Sequence, residues 1–388
     1  MITILGNNKD KFGFYQVGNY KTYSKIEAIE MHRRTGIHPH WNFNELEFSN
    51  YDWTIEPTET LEELYARRAR QIRETYDHVV IFYSGGADSG NIVDSFVNNG
   101  IHFDEIATYA YWAADPDPDN YFNSEQIKVS YPRIKQLHDQ GVKFKHRVID
   151  LSNTAATILE NSFYKFDRAY YGGSRWGISH LARGYIRESV IDYQKLIEKG
   201  KKIAFIWGCD KPRLYKENNR YCIKFIDIID SGISARTQIV NREWEYDELF
   251  YWAPEAVDIV CKQAHVLKRF FEKHKIYKED KYYSDTLIDL PGLEFIFTNQ
   301  NTEDGLTYRN LINTLIYPGF DCRMFSVGKP RGHLESHRDT VFNKDTSYRI
   351  QLDFLKSHIS QLDPYWFSDP TNFEKGIKGS ISRAYYLE

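Results

Sequence analysis

The stretch that decides the fold occupies residues 79–89 and reads VVIFYSGGADS. Its first half is a short apolar run, which is typical of a strand buried on both faces. Its second half contains two adjacent glycines, Gly85 and Gly86, which permit tight turns and let an anion approach the backbone N–H groups. Apolar residues then recur at helical spacing up to Gly100. The sequence therefore predicts a strand, a turn and a helix that begins just after the turn.

The turn has the chemistry of a phosphate site. Ser84 and Ser89 add hydroxyl donors, and the helix that follows would direct the positive end of its dipole at the same place. Asp88 is the discordant residue, because a carboxylate repels phosphate unless a cation such as Mg²⁺ lies between them. The chain has neither a G-x-x-x-x-G-K-[ST] stretch nor a G-x-G-x-x-G stretch after a strand. A P-loop NTPase and a Rossmann dinucleotide site are therefore not predicted.

Residues 84–89 resemble the Ser-Gly-Gly-x-Asp-Ser signature of the PP-loop, or N-type ATP pyrophosphatase, superfamily. Members of that family cleave ATP between the α and β phosphates, transfer AMP to an acceptor oxygen and release pyrophosphate. A turn without a ligand would explain both glycines, but not the two serines together with the aspartate. The resemblance implies ATP and Mg²⁺ as ligands. It also implies cofactor-binding residues in the loop and at the end of the next strand: Tyr83, Ser84, Gly85, Gly86, Ala87, Asp88, Ser89, Tyr109 and Tyr111.

A second apolar run, residues 203–207, precedes the segment GCDKPR at 208–213. Its acid is predicted to hold Mg²⁺ together with Asp88, and its two cations to neutralise the departing pyrophosphate. Here the resemblance narrows to the synthetase domain of asparagine synthetase and its relatives. The chain departs from them because it lacks the G-x-G-x-D-E form, and Lys-Pro-Arg replaces the second acid. The predicted catalytic residues are Asp88, Asp210, Lys211 and Arg213, of which the two aspartates are the predicted metal ligands.

Strand-like and helical segments alternate along the first two thirds of the chain. Their lengths predict an α/β fold with a doubly wound, mostly parallel sheet, which the resemblance specifies as adenine nucleotide alpha hydrolase-like. In such sheets, ligands bind beyond the carboxyl ends of the strands. The predicted strands of this sheet are 79–83, 106–111, 144–151 and 203–207. The predicted units are a small N-terminal α+β unit (1–57), a PP-loop ATP-binding domain (58–235) and a mainly helical acceptor-substrate region (236–388).

Two predicted amphipathic helices contain further basic side chains that could contact a phosphate. One begins at the capping box of Thr60 and Glu63, and its arginines are expected to form a solvated face. Its apolar stripe is predicted to comprise Leu61, Tyr65, Ala69, Ile72 and Tyr76. The other is predicted over residues 254–275, where a cation or imidazole could reach the α-phosphate, although a solvent-facing position is the commoner one. The residues concerned are Arg67, Arg68, Arg70 and Arg73 on the first helix, and Lys262, His265 and Lys268 on the second.

Composition limits the partners and the compartment. The 388 residues include 50 Lys+Arg and 54 Asp+Glu, so a net charge of −4 gives no global electrostatic case for nucleic-acid or membrane binding. A local basic groove is left open. No run of 18 apolar residues occurs and residues 1–6 are too short for a signal sequence, so a cytoplasmic protein is expected. The cysteines are scattered singly, which disfavours zinc-ribbon and iron–sulfur relatives: Cys209, Cys222, Cys261 and Cys322.

Three function hypotheses follow. The leading one is an ATP-dependent ligase that adenylates an acceptor oxygen and lets ammonia or an amine displace AMP. Residue 2 is Ile, so the N-terminal nucleophilic cysteine of glutamine-hydrolysing relatives is missing, and the nitrogen would come from ammonia, an amine substrate or a partner subunit. An alternative is nucleobase modification or thiolation of RNA, DNA or a nucleotide, for which Cys209 is the candidate sulfur carrier. A second alternative is a non-catalytic nucleotide sensor, which the joint presence of Asp88 and Asp210 disfavours.

Overall fold

The computed structural model of the chain describes most of its first half and parts of its second half. The described residues are 9–23, 25–110, 126–151, 153, 190–209, 211–227, 245–273, 308–320 and 380–388. They include one five-stranded parallel sheet and two three-stranded antiparallel sheets. Within these ranges, no helix is both long enough and apolar enough to cross a membrane.

Strands and helices alternate through the central part of the chain. The first part of the chain forms β1 (Phe14–Val17), β2 (Tyr20–Thr22), α1 (Lys25–Thr35), β3 (His40–Asn42) and α2 (Glu45–Ser49). The central part forms α3 (Leu61–Thr75), β4 (His78–Phe82), α4 (Ala87–Val97), β5 (Glu105–Ala110), α5 (Tyr131–Asp139), β6 (Lys145–Asp150), α6 (Ile191–Glu198) and β7 (Ile203–Trp207). The last part forms β8 (Arg213–Glu217), β9 (Arg220–Lys224), β10 (Glu245–Leu249), α7 (Val257–Lys273), α8 (Tyr308–Ile316) and β11 (Tyr385–Tyr386).

The central sheet has the strand order β10-β7-β4-β5-β6, and all four pairings are parallel. From β4 the chain moves outward through β5 to β6, and then returns to the opposite side of β4 to form β7 and β10. The chain therefore has an α/β fold with a parallel sheet, as predicted. The four strands predicted for this sheet are confirmed to within two residues. The fifth, β10, was not predicted.

Helices pack on both faces of this sheet. In the register of the strands, Phe205 and Lys145 share one face, so His146 lies on the other. Tyr193 of α6 packs against Phe205 with ring centroids 5.1 Å apart. Tyr131 of α5 packs against His146 with centroids 5.3 Å apart. The sheet is consequently buried from both sides, which explains the continuous apolar runs of β4 and β7.

The structure connects segments from all three predicted units. β10 follows the predicted boundary at residue 235 and yet pairs with β7, and β11 pairs with β9 to complete the sheet β11-β9-β8. Phe43, from the amino-terminal part, packs with ring centroids 5.0 Å from Phe225 and 5.8 Å from Trp252. One hydrophobic cluster therefore includes residues from each of the three units.

The amino-terminal part is also anchored by buried polar contacts. The ammonium group of Lys11 lies 3.1 Å from Glu248 Oε1, and both side chains are at most 3% exposed. Tyr15 is fully buried and donates its hydroxyl to Asp227. Because unpaired buried polar groups are costly, these contacts fix which residues of the later chain the first strands must meet.

Helix α3 confirms its predicted capping box and apolar stripe. The Thr60 hydroxyl accepts from Glu63 N at 3.2 Å, and Glu63 Oε2 accepts from Thr60 N at 2.8 Å. The prediction of a solvated arginine face is wrong for Arg68, which is 2% exposed. It lies one turn from residues of the buried stripe, and Glu248 and Glu255 at 3.1 Å and 3.0 Å supply the opposite charges that its burial requires.

Replacement of Thr60 by alanine is expected to destabilise the chain by about 1 kcal/mol, because the first turn of α3 loses its side-chain cap. The measurement is the free energy of unfolding in denaturant. Thr58→Ala is the matched control, since Thr58 is exposed and lies outside the helix, and we expect a change within about 0.5 kcal/mol. Equal effects of the two substitutions would show that the cap contributes nothing.

Candidate functional site

The loop that joins β4 to α4 requires glycine at residue 85. The φ angle of Gly85 is +84°, in the region that side chains other than glycine rarely adopt. A Cβ atom at this position would lie 2.8 Å from Ser130 Oγ and 3.2 Å from Val129 Cβ. Gly86 follows in an extended conformation and is the N-cap residue of α4. The loop therefore makes a sharp turn at Gly85 and presents the amino end of α4 at the carboxyl edge of the sheet.

The two serines of the motif hold the loop in shape. Ser89 Oγ accepts a hydrogen bond from Ser84 N at 3.2 Å and lies 3.2 Å from Ser84 Oγ. Ser84 Oγ also accepts from Gly86 N at 3.2 Å. The first N–H groups of a helix have no intrahelical partner, and Gly86 supplies no side-chain cap to α4. This end of the helix is accordingly suited to an anion.

Asp88 lies in the first turn of α4 and contacts residues from three distant segments of the chain. The ammonium group of Lys211 and the hydroxyl of Tyr317 both donate to Asp88 Oδ1, the second at 2.5 Å. Tyr251 donates to the backbone oxygen of Asp88 at 2.8 Å. Lys211 is only 5% exposed. The sequence predicted Lys211 at this edge of the sheet, and the structure places it directly on the Asp88 carboxylate.

A tyrosine cluster supports Asp88, and sequence reasoning missed it. The rings of Tyr65, Tyr251 and Tyr317 lie 5.6–6.4 Å apart, centroid to centroid. Burial, and next the Asp88 charge, raises the pKa of Tyr317 well above its ordinary value, so its phenol keeps the proton that it donates. Tyr65 was predicted as part of the apolar stripe of α3. Tyr251 and Tyr317 come from distant segments, and no local pattern indicated that they meet Asp88.

The end of β7 packs against the same helix start. A Cβ atom on Gly208 would lie 3.1 Å from Ser89 N and 3.2 Å from Asp88 Cβ, so glycine lets the two loops touch. The segments after β4 and β7 therefore lie in direct contact. Cys209, next in the chain, is partly buried. Asp210 lies outside the described residues, so its predicted role as a metal ligand stays a prediction.

The structure describes most of the other predicted residues. Tyr83 is buried, and its N–H donates to Ala107 O at 3.0 Å, so it continues the pairing of β4 with β5. Tyr109 is the partly buried penultimate residue of β5, whereas Tyr111 lies outside the described residues. Arg213 is the first residue of β8 and is paired in register with Lys224 of β9. Ala87 is the buried first residue of α4.

The three candidates on α7 have other partners. Lys262 donates to Pro57 O at 2.9 Å, and Lys268 lies 3.2 Å from Glu388. The prediction of a solvent-facing position is wrong for His265, which is buried with Nε2 2.9 Å from Trp53 O. These contacts hold α7 to neighbouring segments of the chain. None of them places an α7 side chain at the loop.

The described residues are compatible with a metal ion that is already bound to the phosphates of a nucleotide. In the part of the chain that the structure describes, no cluster of three or more His, Cys, Asp or Glu side chains could hold a metal ion by itself. Mg²⁺ bound to nucleotides needs only one or two protein carboxylates, because phosphates and water complete its coordination. Asp88 supplies one carboxylate beside a helix end that is suited to an anion. This donor set is compatible with a magnesium nucleotide.

Two comparisons with known proteins were without a match. No protein-family model matches the chain, and a search of curated proteins found no match. What the chain does must therefore be inferred from the residues and geometry of the loop itself.

Proposed function

We propose that the chain is an AMP-forming, ATP-dependent ligase of the PP-loop (N-type ATP pyrophosphatase) type, similar to asparagine synthetase-like synthetase domains. It would bind MgATP at residues 84–89, adenylate an acceptor oxygen with release of pyrophosphate, and let ammonia or an amine displace AMP. The observation that carries the proposal is the position of the SGGADS motif. The motif lies at the carboxyl end of β4, where the strand order reverses. The ammonium group of Lys211 donates to Asp88 within the motif.

The sheet supports this proposal. We infer a doubly wound fold of the adenine nucleotide alpha hydrolase type, because β5 and β6 lie to one side of β4, β7 and β10 lie to the other, and helices pack on both faces. In doubly wound sheets, the loops after the two strands at the reversal point diverge and leave a crevice. Here those loops follow β4 and β7. They are the two segments from which the sequence predicted the catalytic residues.

The charges at the loop suit a triphosphate. The amino end of α4 and the glycines at 85 and 86 offer backbone N–H groups to a phosphate. Lys211 Nζ carries three protons, so it can keep its bond to Asp88 and still donate to a phosphate oxygen. Negative charge accumulates on the pyrophosphate as the α–β bond breaks, and a fixed cation there stabilises the transition state more than bound ATP. We assign this role to Lys211, with Arg213 further along the same segment.

Asp88 would hold the magnesium ion, together with Asp210. When bound, Mg²⁺ would offset phosphate charge and make pyrophosphate a better leaving group. Lys211 and Tyr317 orient the Asp88 carboxylate through Oδ1, so the residue is held in place before any nucleotide arrives. A fixed carboxylate avoids the reorganisation that a mobile one would need during the reaction.

The product of ATP turnover tests the proposal. We expect the chain, given MgATP labelled at the α-phosphate, ammonium and a panel of carboxylate and amide acceptors, to form AMP and pyrophosphate. Asp88→Asn should abolish this product, whereas Asp139→Asn, at the end of α5 and exposed, should leave it unchanged. Product separation by chromatography gives the readout. Stoichiometric ADP, or AMP formation that is indifferent to Asp88→Asn, would overturn the assignment.

Cys209 distinguishes ligation from thiolation. Its partly buried position next to Gly208 puts it at the edge where the phosphate loop lies, which is where a persulfide carrier for thiolation would be needed. Cys209→Ala separates the two chemistries when the product assay is run once with ammonium and once with a nucleobase acceptor and a sulfur donor. An AMP-forming ligase keeps its full rate in this variant, and a thiolating enzyme loses sulfur transfer.

A further inference from the structure

The turn Gln126–Ser130, just before α5, packs against Gly85 in the loop of residues 84–89. It is a single π-helical turn, a feature that often occurs at functional sites. The position that a Cβ atom would take on Gly85 lies 2.8 Å from Ser130 Oγ and 3.2 Å from Val129 Cβ. Any side chain at residue 85 would therefore occupy the space beside the Ser130 hydroxyl. Glycine at this position leaves that hydroxyl next to the loop.

The Ser130 hydroxyl has no hydrogen-bond partner among the described residues, although the side chain is fully buried. Ser130 has helical backbone angles where the π-helical turn passes into α5, and its hydroxyl makes no capping bond there. Nearly all buried polar atoms in native proteins are paired, because an unpaired one loses its hydration without compensation. The neighbouring Ser84, Ser89 and Ser95 are all hydrogen-bonded. Beside this loop, the unpaired hydroxyl is available to an atom of a ligand.

We propose that Ser130 is a nucleotide-binding residue whose hydroxyl donates to a phosphate oxygen of the ATP held by residues 84–89. The proposal rests on the function proposed above and adds a donor that lies outside the SGGADS motif. A phosphate oxygen is the fitting partner because the amino end of α4, next to the hydroxyl, attracts anions. The hydroxyl then approaches the phosphates from the β5 side of the loop, and Lys211 approaches from the β7 side.

Replacement of Ser130 by alanine separates binding from folding. We expect the Kd values of MgATP and of magnesium pyrophosphate to rise about 10- to 100-fold, the usual effect of losing a hydrogen bond to a charged group. The Kd of AMP should stay within about twofold of the parent value. The melting temperature should be unchanged or raised, because the lost hydroxyl has no partner within the described protein. Titration calorimetry and thermal unfolding supply the two readouts.

Ser95→Ala is the matched control. Ser95 is also buried and on a helix next to the loop, but its hydroxyl donates to Asn91 O at 2.5 Å. This variant should therefore lose thermal stability and keep the parent affinity for MgATP. The opposite responses of the two serines would not arise if both had only a structural role.

The possible failures are distinguishable. If the parent chain binds MgATP and Ser130→Ala binds it equally well, the inference is overturned and the proposed function stands. Equal losses for AMP and for pyrophosphate-bearing ligands would overturn the assignment of the hydroxyl to the pyrophosphate part of ATP. A parent chain that binds neither MgATP nor magnesium pyrophosphate would overturn the proposed function, and the Ser130 inference with it.

Discussion

Replacement of Lys211 by alanine is expected to lower kcat for AMP formation by about 10²–10³-fold while changing the Kd of MgATP much less. The Lys211 side chain is 5% exposed and its ammonium group is fixed on Asp88, so the charge is in place before the α–β bond begins to break. A preorganised charge of this kind contributes mainly to the transition state. The measurement is single-turnover formation of AMP, with the acceptor found by the product assay, alongside calorimetric affinity for the nucleotide.

Lys262→Ala is the control for the loss of a partly buried lysine. Its ammonium group contacts Glu56 and Pro57 O, away from the loop, so the rate of AMP formation should be unaffected. Arg213→Ala, tested in parallel, shows how much Arg213 contributes to stabilising the departing pyrophosphate. Unchanged single-turnover rates in both Lys211→Ala and Arg213→Ala would mean that the pyrophosphate is held by other residues.

Replacement of Glu248 by glutamine is expected to destabilise the chain by about 3–5 kcal/mol, the largest effect on stability that we predict. The Glu248 carboxylate is fully buried and accepts from Lys11 and Arg68 at 3.1 Å each, and from the Tyr76 hydroxyl. Glutamine keeps the size of the side chain but leaves two buried cations without their shared counter-charge. Denaturant unfolding, monitored by tryptophan fluorescence, gives the free energy.

Two further variants test the electrostatic cause of that loss. Glu59→Gln removes an exposed partner of Arg67 and should cost less than about 1 kcal/mol. Lys11→Met combined with Glu248→Gln should cost less than the sum of the two single substitutions, because each removes the charge that the other leaves unpaired. Strict additivity, or a loss for Glu248→Gln as small as that for Glu59→Gln, would contradict the importance of this network.

The parallel sheet was largely predictable because its central strands have a clear apolar sequence pattern. β4 and β7 contain the continuous apolar runs 79–83 and 203–207, each with a glycine within two residues of its end, which is the pattern of a strand buried on both faces. β10 was missed because its sequence, EYDEL, contains three acids and no such run. Its Glu248 is tolerated inside the protein only through cations from remote parts of the chain. Local sequence cannot reveal that compensation, and the same limit explains the wrong expectation for Arg68.

The site was predictable where its residues belong to one continuous motif. The turn at Gly85 and the start of α4 agree with the pattern of residues 84–89. The Gly208 segment, which contacts this loop, directly follows the apolar run of β7. Ser130 and Tyr317 were missed because each is brought to the loop by packing of its own element. Their only signals are three-dimensional: an unpaired buried hydroxyl, and a phenol bonded to Asp88.

The buried bond between Lys11 and Glu248 joins residues that are 237 positions apart, and this separation affects how the chain is made. At a synthesis rate of about 5–20 residues per second, roughly 10–50 s pass on the ribosome between the two residues. During that interval Lys11, and Tyr15 near it, have been translated while the carboxylates that pair with them have not. The amino-terminal strands therefore complete these contacts late, only after Asp227 and Glu248 have been synthesised. Until then they are accessible to chaperones.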